Sequence, residues 1–359
     1  MKVCVYAICK NEEKFAARWM RSMSEADGVY VLDTGSADST PELLERLGAV
    51  VRRALVRPWR FDTARNLSLA LVPEDADICV CTDLDEYFRP GWRAALEQAW
   101  TPGATQARYE YVWSFDAQGR DDVVFYYDKI HARRGYAWRG AVHEVPVCLN
   151  GAPVFVTAEG VRLEHHPDMT KSRSQYLPLL ELAVSEEPQN DRNMHYLGRE
   201  YMFARRWDDC IATLKRHLSL PTATWEDERA ASMRYIAAAL AAQGNGAERE
   251  RWLLRCAAEA PWLREGWVEL ARYYYECGDW CACLAAAERA LTITGRGRTY
   301  MSQGECWGAL PHDLAAIASW NLGLYDRAVS HGEAALAAAP EDERLKSNLD
   351  FYRLGQNGG

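Results

Sequence analysis

The chain has 359 residues, 48% of them hydrophobic and 26% charged. That length exceeds the ~250–300 residues a single core usually serves, so two domains are expected, and the composition excludes a disordered chain. A formal net charge of −9 argues against stable nucleic-acid binding, and no apolar run reaches the ~20 residues of a membrane span.

In chain order, residues 2–8 form an apolar, β-branched run and predict a first strand rather than a signal segment, which points to a cytoplasmic protein. Helical apolar spacing follows over 15–23, then a strand over 28–32 that ends at Asp33. Asp38-Ser39-Thr40-Pro41-Glu42 reads as a helix start, with Leu43, Leu44 and Leu47 on one face. A third strand is expected over 49–51, a helix over 61–71, a fourth strand over 78–82 and a helix over 90–100. Aromatic-rich strands follow around 109–115 and 123–127. This alternation is that of an α/β domain, placed at 1–170.

From 171 to 359 the sequence is helical throughout and weakly repetitive. Tyr196-Leu197-Gly198, Leu270-Ala271-Arg272 and Ala318-Ser319-Trp320 each precede a turn and a second helix, and Pro188, Pro221, Pro261 and Pro340 punctuate the region. A helix-turn-helix unit of about 34 residues is the tetratricopeptide period. Roughly four such units would stack into a solenoid that offers a surface to a partner or to a second copy. Trp207, Tyr235, Trp267, Tyr273, Tyr274 and Trp280 either line that surface or pack helices together. The last five residues are expected to fray.

Eleven cysteines, an odd number, do not read as a disulfide framework, and most are expected to be small buried hydrophobes. Cys277, Cys281 and Cys283 lack paired Cys-x-x-Cys spacing, so packing is expected there rather than zinc.

Five motifs could carry chemistry. Cys79-Val80-Cys81 runs into Asp83-Leu84-Asp85-Glu86. On a strand, i and i+2 share a side, so Asp83 and Asp85 are expected to aim two carboxylates at one spot. Paired carboxylates suit Mg²⁺ or Mn²⁺, and such a cation in turn takes phosphate oxygens. Asp33-Thr34-Gly35-Ser36 leads from a strand into a loop and a helix start, where polar ligand groups can bind or where the residues simply cap and turn. In Arg60-Phe61-Asp62-Thr63-Ala64-Arg65-Asn66, Asp62 shares a helix face with Arg65 and Asn66, as a surface ion pair or as a ribose and diphosphate contact. His143-Glu144, in an aromatic setting, offers a general base whose pKa an apolar wall would raise. His165-His166-Pro167 offers a further metal ligand or a bare turn, and adjacent histidines on a regular strand cannot both face one ion.

Taken in order with Ile8-Cys9-Lys10-Asn11-Glu12, these motifs resemble a family 2 glycosyltransferase of the GT-A fold, over residues 1 to about 170. With Lys171-Ser172-Arg173 and the repeats behind it, the chain looks like the branch containing the sublancin-type peptide S-glycosyltransferases. The resemblance implies a GT-A domain followed by an all-α tetratricopeptide-like solenoid. It implies a UDP-sugar donor, with Asp33 on the uracil near the backbone of Ala7 and Ile8, and Asn11 and Glu12 beside the nucleotide. Arg65 and Asp62 would lie by the diphosphate, and Asp83 by the ribose or a metal-bound water. Asp85 would bind Mn²⁺ or Mg²⁺ with His165 or His166, and Glu144, beside His143, would be the base of an inverting transfer. The family's familiar Asp-Asp is Asp33-Thr34 here. The expected acceptor is a peptide or protein, with a saccharide, a lipopolysaccharide core or a nucleobase as alternatives. The loops from Trp113 to Tyr136 would set the sugar. The alternative of another class is a repeat scaffold with an inactive nucleotide-binding domain.

Overall fold

The computed structural model describes residues 1–170 and 176–356; Lys171-Ser172-Arg173 and the last three residues lie outside them. The chain divides into two compact units. One is Met1–Glu186 with Arg298–Tyr300, and the other is Glu187–Gly297 with Met301–Gly359.

The first unit runs β1 (Val3–Cys9), α1 (Glu13–Ser22), β2 (Gly28–Asp33), α2 (Thr40–Arg46), β3 (Val50–Arg53), α3 (Phe61–Leu69), β4 (Ile78–Cys81), β5 (Glu86–Phe88), α4 (Trp92–Ala99), β6 (Gln106–Val112), β7 (Val124–Ala132), β8 (Tyr136–Arg139), β9 (Val145–Cys148), β10 (Phe155–His165) and α5 (Tyr176–Glu186). Eight strands form one mixed sheet in the order β3-β2-β1-β4-β7-β6-β10-β5, and β8 pairs with β9 separately. β3, β2, β1 and β4 are parallel, β7 is antiparallel to both β4 and β6, and β10 runs parallel to β6.

The central strands read as unbroken apolar runs because both faces are covered. Val3, Val5 and Ala7 of β1 and Ile78 and Val80 of β4 join Trp19, Trp92 and Tyr109 in the larger core. The alternate residues Cys4, Tyr6, Cys79 and Cys81 pack on the other face with Leu69, Val72 and Trp138. Three of the cysteines thus sit where a small apolar side chain fits between the sheet and its cover. After β1 the chain builds β2 and β3 on one side, then crosses to β4 on the other. The order therefore reverses between β1 and β4. In open α/β sheets, ligands bind beyond the carboxyl ends of the strands at such a reversal.

The second unit holds α6 (Asp191–Phe203), α7 (Trp207–Ser219), α8 (Glu226–Ala242), α9 (Gly246–Glu259), α10 (Arg264–Cys277), α11 (Trp280–Leu291), α12 (Leu310–Asn321), α13 (Tyr325–Ala338) and α14 (Glu343–Gln356). Successive helices pair as hairpins, α6 with α7, α8 with α9, α10 with α11 and α12 with α13, and α14 packs on α13. These are tetratricopeptide-like repeats. Each hairpin turns at a left-handed residue: Arg205 (φ 57°), Gly244, Gly278 and Gly323 (each φ 73°). Gly244 and Gly278 lie 34 residues apart, and the wider gap to Gly323 holds the short helical turn Gly304–Trp307. Asn245 and Asp279, directly after their glycines, accept from Glu248 N and Ala282 N and so start the next helix. Cys283 is buried, whereas Cys277 and Cys281 are exposed. Gly355 and Gln356, expected to fray, are in α14. Among the described residues, no helix is long and apolar enough to cross a membrane.

Candidate functional site

The loops after β1 and β2 are sewn together. Asn11 stands in the left-handed region (φ 56°). Its N–H donates to Ser36 Oγ and its Oδ1 accepts from Ala37 N, at 2.9 and 2.7 Å. Glu12 N donates to Thr40 Oγ1 at 2.8 Å. The buried Asp33 carboxylate accepts from Gly35 N, from Ser36 N and from Ser36 Oγ at 2.5 Å. Its oxygens thus hold the turn that follows β2. On β1, the Ala7 carbonyl accepts from Ser68 Oγ of α3.

The motif of α3 acts as a clamp on residues 138–144. Phe61 N donates to Ala141 O, and Gly140 N donates to Asp62, which also accepts from Arg60. One turn on, Asn66 exchanges two 2.9 Å hydrogen bonds with the backbone N–H and carbonyl of Trp138. Gly140 (φ 111°) has a backbone conformation that side chains rarely adopt, and a Cβ there would press on Val142 O at 3.2 Å and Glu144 Cα at 3.3 Å. Asp62 is therefore engaged by the loop that carries His143 and Glu144.

Arg65, on the same helix, is nearly fully buried. Its Nε donates to Glu144 Oε1 at 3.0 Å and its Nη2 to Asp83 Oδ1 at 2.5 Å. Its Nη1 is buried without a hydrogen-bond partner among the described residues. Glu144 was expected against an apolar wall, yet its neighbour is this guanidinium. His143 is in the left-handed region (φ 51°), its ring 6.1 Å from that of Tyr176.

The two aspartates do not share one strand face. β4 ends at Cys81, and Leu84 and Asp85 turn into β5, so the two-residue alternation assumed from the sequence has already stopped. Asp83 lies between Arg65 and Lys129, whose Nζ is 3.3 Å from Asp83 Oδ2. Burial would raise the Asp83 pKa, but the two cations outweigh it and hold the carboxyl well below the usual range. Burial opposes charge on Lys129, and Asp83 outweighs that too and keeps it protonated. Glu86 accepts from Asp83 N and from Tyr111 O–H, at 2.8 and 2.6 Å; its pKa is raised by burial, with Asp83 and Asp85 adding to the effect.

Asp85 faces the other way, toward β10. His165 donates from Nδ1 to Trp113 O at 3.1 Å, which leaves Nε2 toward Asp85 Oδ2 at 3.6 Å. Burial disfavours charge on His165, and Asp85 more than reverses this. As it stands this is an imidazole–carboxylate ion pair, and with the ring neutral its Nε2 and Asp85 are donors of types that a divalent cation takes. His166, just past the end of β10, diverges. Its ring is stacked between Tyr87 (4.6 Å) and Phe115 (5.0 Å), with Glu164 3.5 Å from Nε2. Of the four expected ligands, Asp85 and His165 come together, while Asp83 and His166 point elsewhere. Among the described residues no group of three His, Cys, Asp or Glu side chains could hold a metal ion, so water or ligand oxygens would complete the shell of any cation there.

Lys129 and Glu86 escaped the sequence reading. Lys129 is a lone cation in an aromatic strand whose position beside β4 depends on a pairing about 50 residues away in sequence. Cavities of about 350 Å³ and 310 Å³ lie elsewhere, the first among Asp75, Asp77, Arg133 and Arg134, the second among Arg89, Glu110, Tyr126 and Arg162.

No family model matches the chain, and no curated protein does. Solved structures match about half of it. A structure of MamA is 18% identical over 50% of this chain and 99% of its own, with a TM-score of 0.39. The hetero-tetramer Cut9-Hcn1 of the APC/C is 15% identical over 51% of this chain and 33% of that one, with a TM-score of 0.40. A thermophilic TPR protein of Thermus thermophilus is 18% identical over 50% and 90%, with a TM-score of 0.36. These neighbours are tetratricopeptide-repeat proteins and not glycosyltransferases. The expected membership in family 2 of the glycosyltransferases is thereby overturned, and the GT-A assignment of the first half with it. The physical reason is local: Asp33 holds a turn, Asp62 and Asn66 clamp a loop, and Asp83 is neutralised within the chain, so most of the motif is accounted for without a ligand. What stands is a curled mixed sheet followed by tetratricopeptide-like repeats.

Proposed function

We propose that the first unit binds a nucleoside diphosphate-sugar at the reversal between β1 and β4 and transfers its sugar, and that the repeats are a scaffold for a protein partner or acceptor. The observations that carry this are two neighbouring charged groups: Arg65 with Asp83 and Glu144 beyond β4, and Asp85 with His165, two residues further along that loop. Asp85 and His165 would hold Mn²⁺ or Mg²⁺, which when bound offsets charge on the departing diphosphate. Arg65 is a buried cation beside Asp83 and Glu144, and its Nη1 has no hydrogen-bond partner among the described residues. Its bond to Glu144 orients that carboxylate, which can take the proton of the attacking acceptor.

A second reading, a repeat scaffold whose nucleotide site is inactive, is favoured by one observation. Asp83 already has its counter-charges in Arg65 and Lys129 and leaves only two ligands for a metal. Turnover separates the two. UDP release is measured for a panel of UDP-sugars with Mn²⁺, Mg²⁺ or EDTA, for wild type and Asp85→Ala. Metal-dependent release lost in Asp85→Ala is the expected result. UDP binding without release, with acceptor peptides and saccharides present, would favour the scaffold. Absence of UDP binding would sink the nucleotide site altogether.

A further inference from the structure

Beside the Asp85–His165 pair stands a tryptophan that the chemistry above leaves unused. Trp113 directly follows β6, and its N–H donates to Val123 O at 2.8 Å. Trp19, Trp92 and Trp138 of the same unit are almost wholly buried, whereas Trp113 is 46% exposed. One face of its indole is stacked on the His165 ring, with centroids 4.4 Å apart and planes 20° from parallel. Its carbonyl takes the His165 Nδ1 hydrogen bond. The histidine covers one face of the ring, the Tyr111 ring lies 6.2 Å away by centroids, and nearly half of the residue is open to solvent.

We propose that Trp113 is the stacking platform for the hexose of the donor; this rests on the reading that Asp85 and His165 hold the cation of a nucleoside diphosphate-sugar. A pyranose has an apolar C–H face as well as its hydroxyl edge, and an exposed indole offers that face a broad, rigid partner at little entropic cost. The sugar is joined directly to the terminal phosphate, so an aromatic flanking a metal ligand lies where the ring arrives. Holding His165 needs only the covered face and the backbone carbonyl. The solvent-exposed part of the ring is what recognition of a hexose would use.

The full chain is titrated calorimetrically with UDP and with UDP-glucose, UDP-galactose and UDP-N-acetylglucosamine in Mn²⁺. Wild type, Trp113→Ala and Trp113→Phe are compared, and thermal melts verify folding. The expected result is a roughly 5- to 10-fold loss of affinity for the preferred UDP-hexose in Trp113→Ala. UDP itself should change less than about twofold, and Trp113→Phe should keep most of the preference. Equal weakening of UDP and UDP-hexose would overturn the platform and leave Trp113 as a support for His165. Unchanged affinities would overturn it too, with nucleotide binding intact. Wild type that binds neither UDP nor any UDP-hexose overturns the nucleotide reading and the platform with it, a failure visible before any variant is made.

Discussion

Arg65 is the side chain on which the charged centre depends. A buried guanidinium between two carboxylates is tolerated because each partner offsets its desolvation, and removing it leaves Glu144 without this counter-charge and Asp83 with Lys129 alone. Arg65→Met should therefore cost about 2–4 kcal/mol by urea unfolding, discounted because Asp83 is partly exposed to solvent. Adding Asp83→Asn should recover part of that loss, and strictly additive changes would show that the pair is not coupled. A second buried group makes a pH prediction. Trp138 Nε1 donates to Tyr6 Oη, and Tyr6 O–H donates to His131 Nε2, both at 2.7 Å, while Nδ1 donates to Ala132 O at 2.8 Å. This chain requires neutral imidazole, and burial pushes His131 down to about 4. Between there and the ordinary ~6.5, the unfolded chain takes up a proton that the folded one refuses. Stability should thus fall as pH drops from 7 toward 4, by up to about 3 kcal/mol from this group, and fall no further from it below that. His131→Asn should flatten the urea midpoint over pH 7 to 4.5; an unchanged slope would assign the acid sensitivity to carboxylates instead. None of this was legible in the sequence, where Lys129 and His131 are two polar residues of an aromatic strand. Their burial follows from β7 pairing beside β4, which no local pattern states.

Elements were more legible than the contacts between them. Period and punctuation placed the central strands and the helices, because burial of both sheet faces writes itself as apolar runs and helix starts carry Pro and Asp. β5 was missed: three residues directly after a turn carry no period of their own. The α3 motif was legible as chemistry but not as carpentry, since its partner, residues 138–144, lies over 70 residues away. Asn66→Ala should leave the Trp138 N–H and carbonyl unpaired and cost about 2 kcal/mol. Faster hydrogen exchange at the Trp138 amide would locate that cost, and a protected amide would contradict the clamp. In the repeats, the turn rule predicts a gain. Arg205 holds the left-handed position that glycine fills in the other three hairpins. A non-glycine residue there costs about 1 kcal/mol, partly offset by glycine's greater freedom in the unfolded chain. Arg205→Gly should therefore raise stability by roughly 0.5 kcal/mol, read from the urea midpoint.

At the scale of the whole molecule, the two compact units hold different kinds of structure, one built on long-range strand pairing and one on neighbouring helices. Repeat stacks gain stability from nearest-neighbour interfaces, so damage to one hairpin should spread along the stack before it reaches a sheet. Gly198 of α6 tests this. A Cβ at that position would lie 2.3 Å from Leu214 Cδ2 of α7, closer than side chains approach one another, so the two helices must part or Leu214 must leave its rotamer. Overpacking of this kind costs about 1–3 kcal/mol. In Gly198→Ala, amides of α6, α7 and the adjoining α8 should exchange hydrogen faster in native conditions. Those of β1 and β4 should keep their protection, and metal-dependent UDP binding, where wild type has it, should be unchanged, because neither depends on the α6–α7 interface. Equal loss of protection in β1 and β4 would mean that the sheet and the repeats unfold as one cooperative body despite their separate cores.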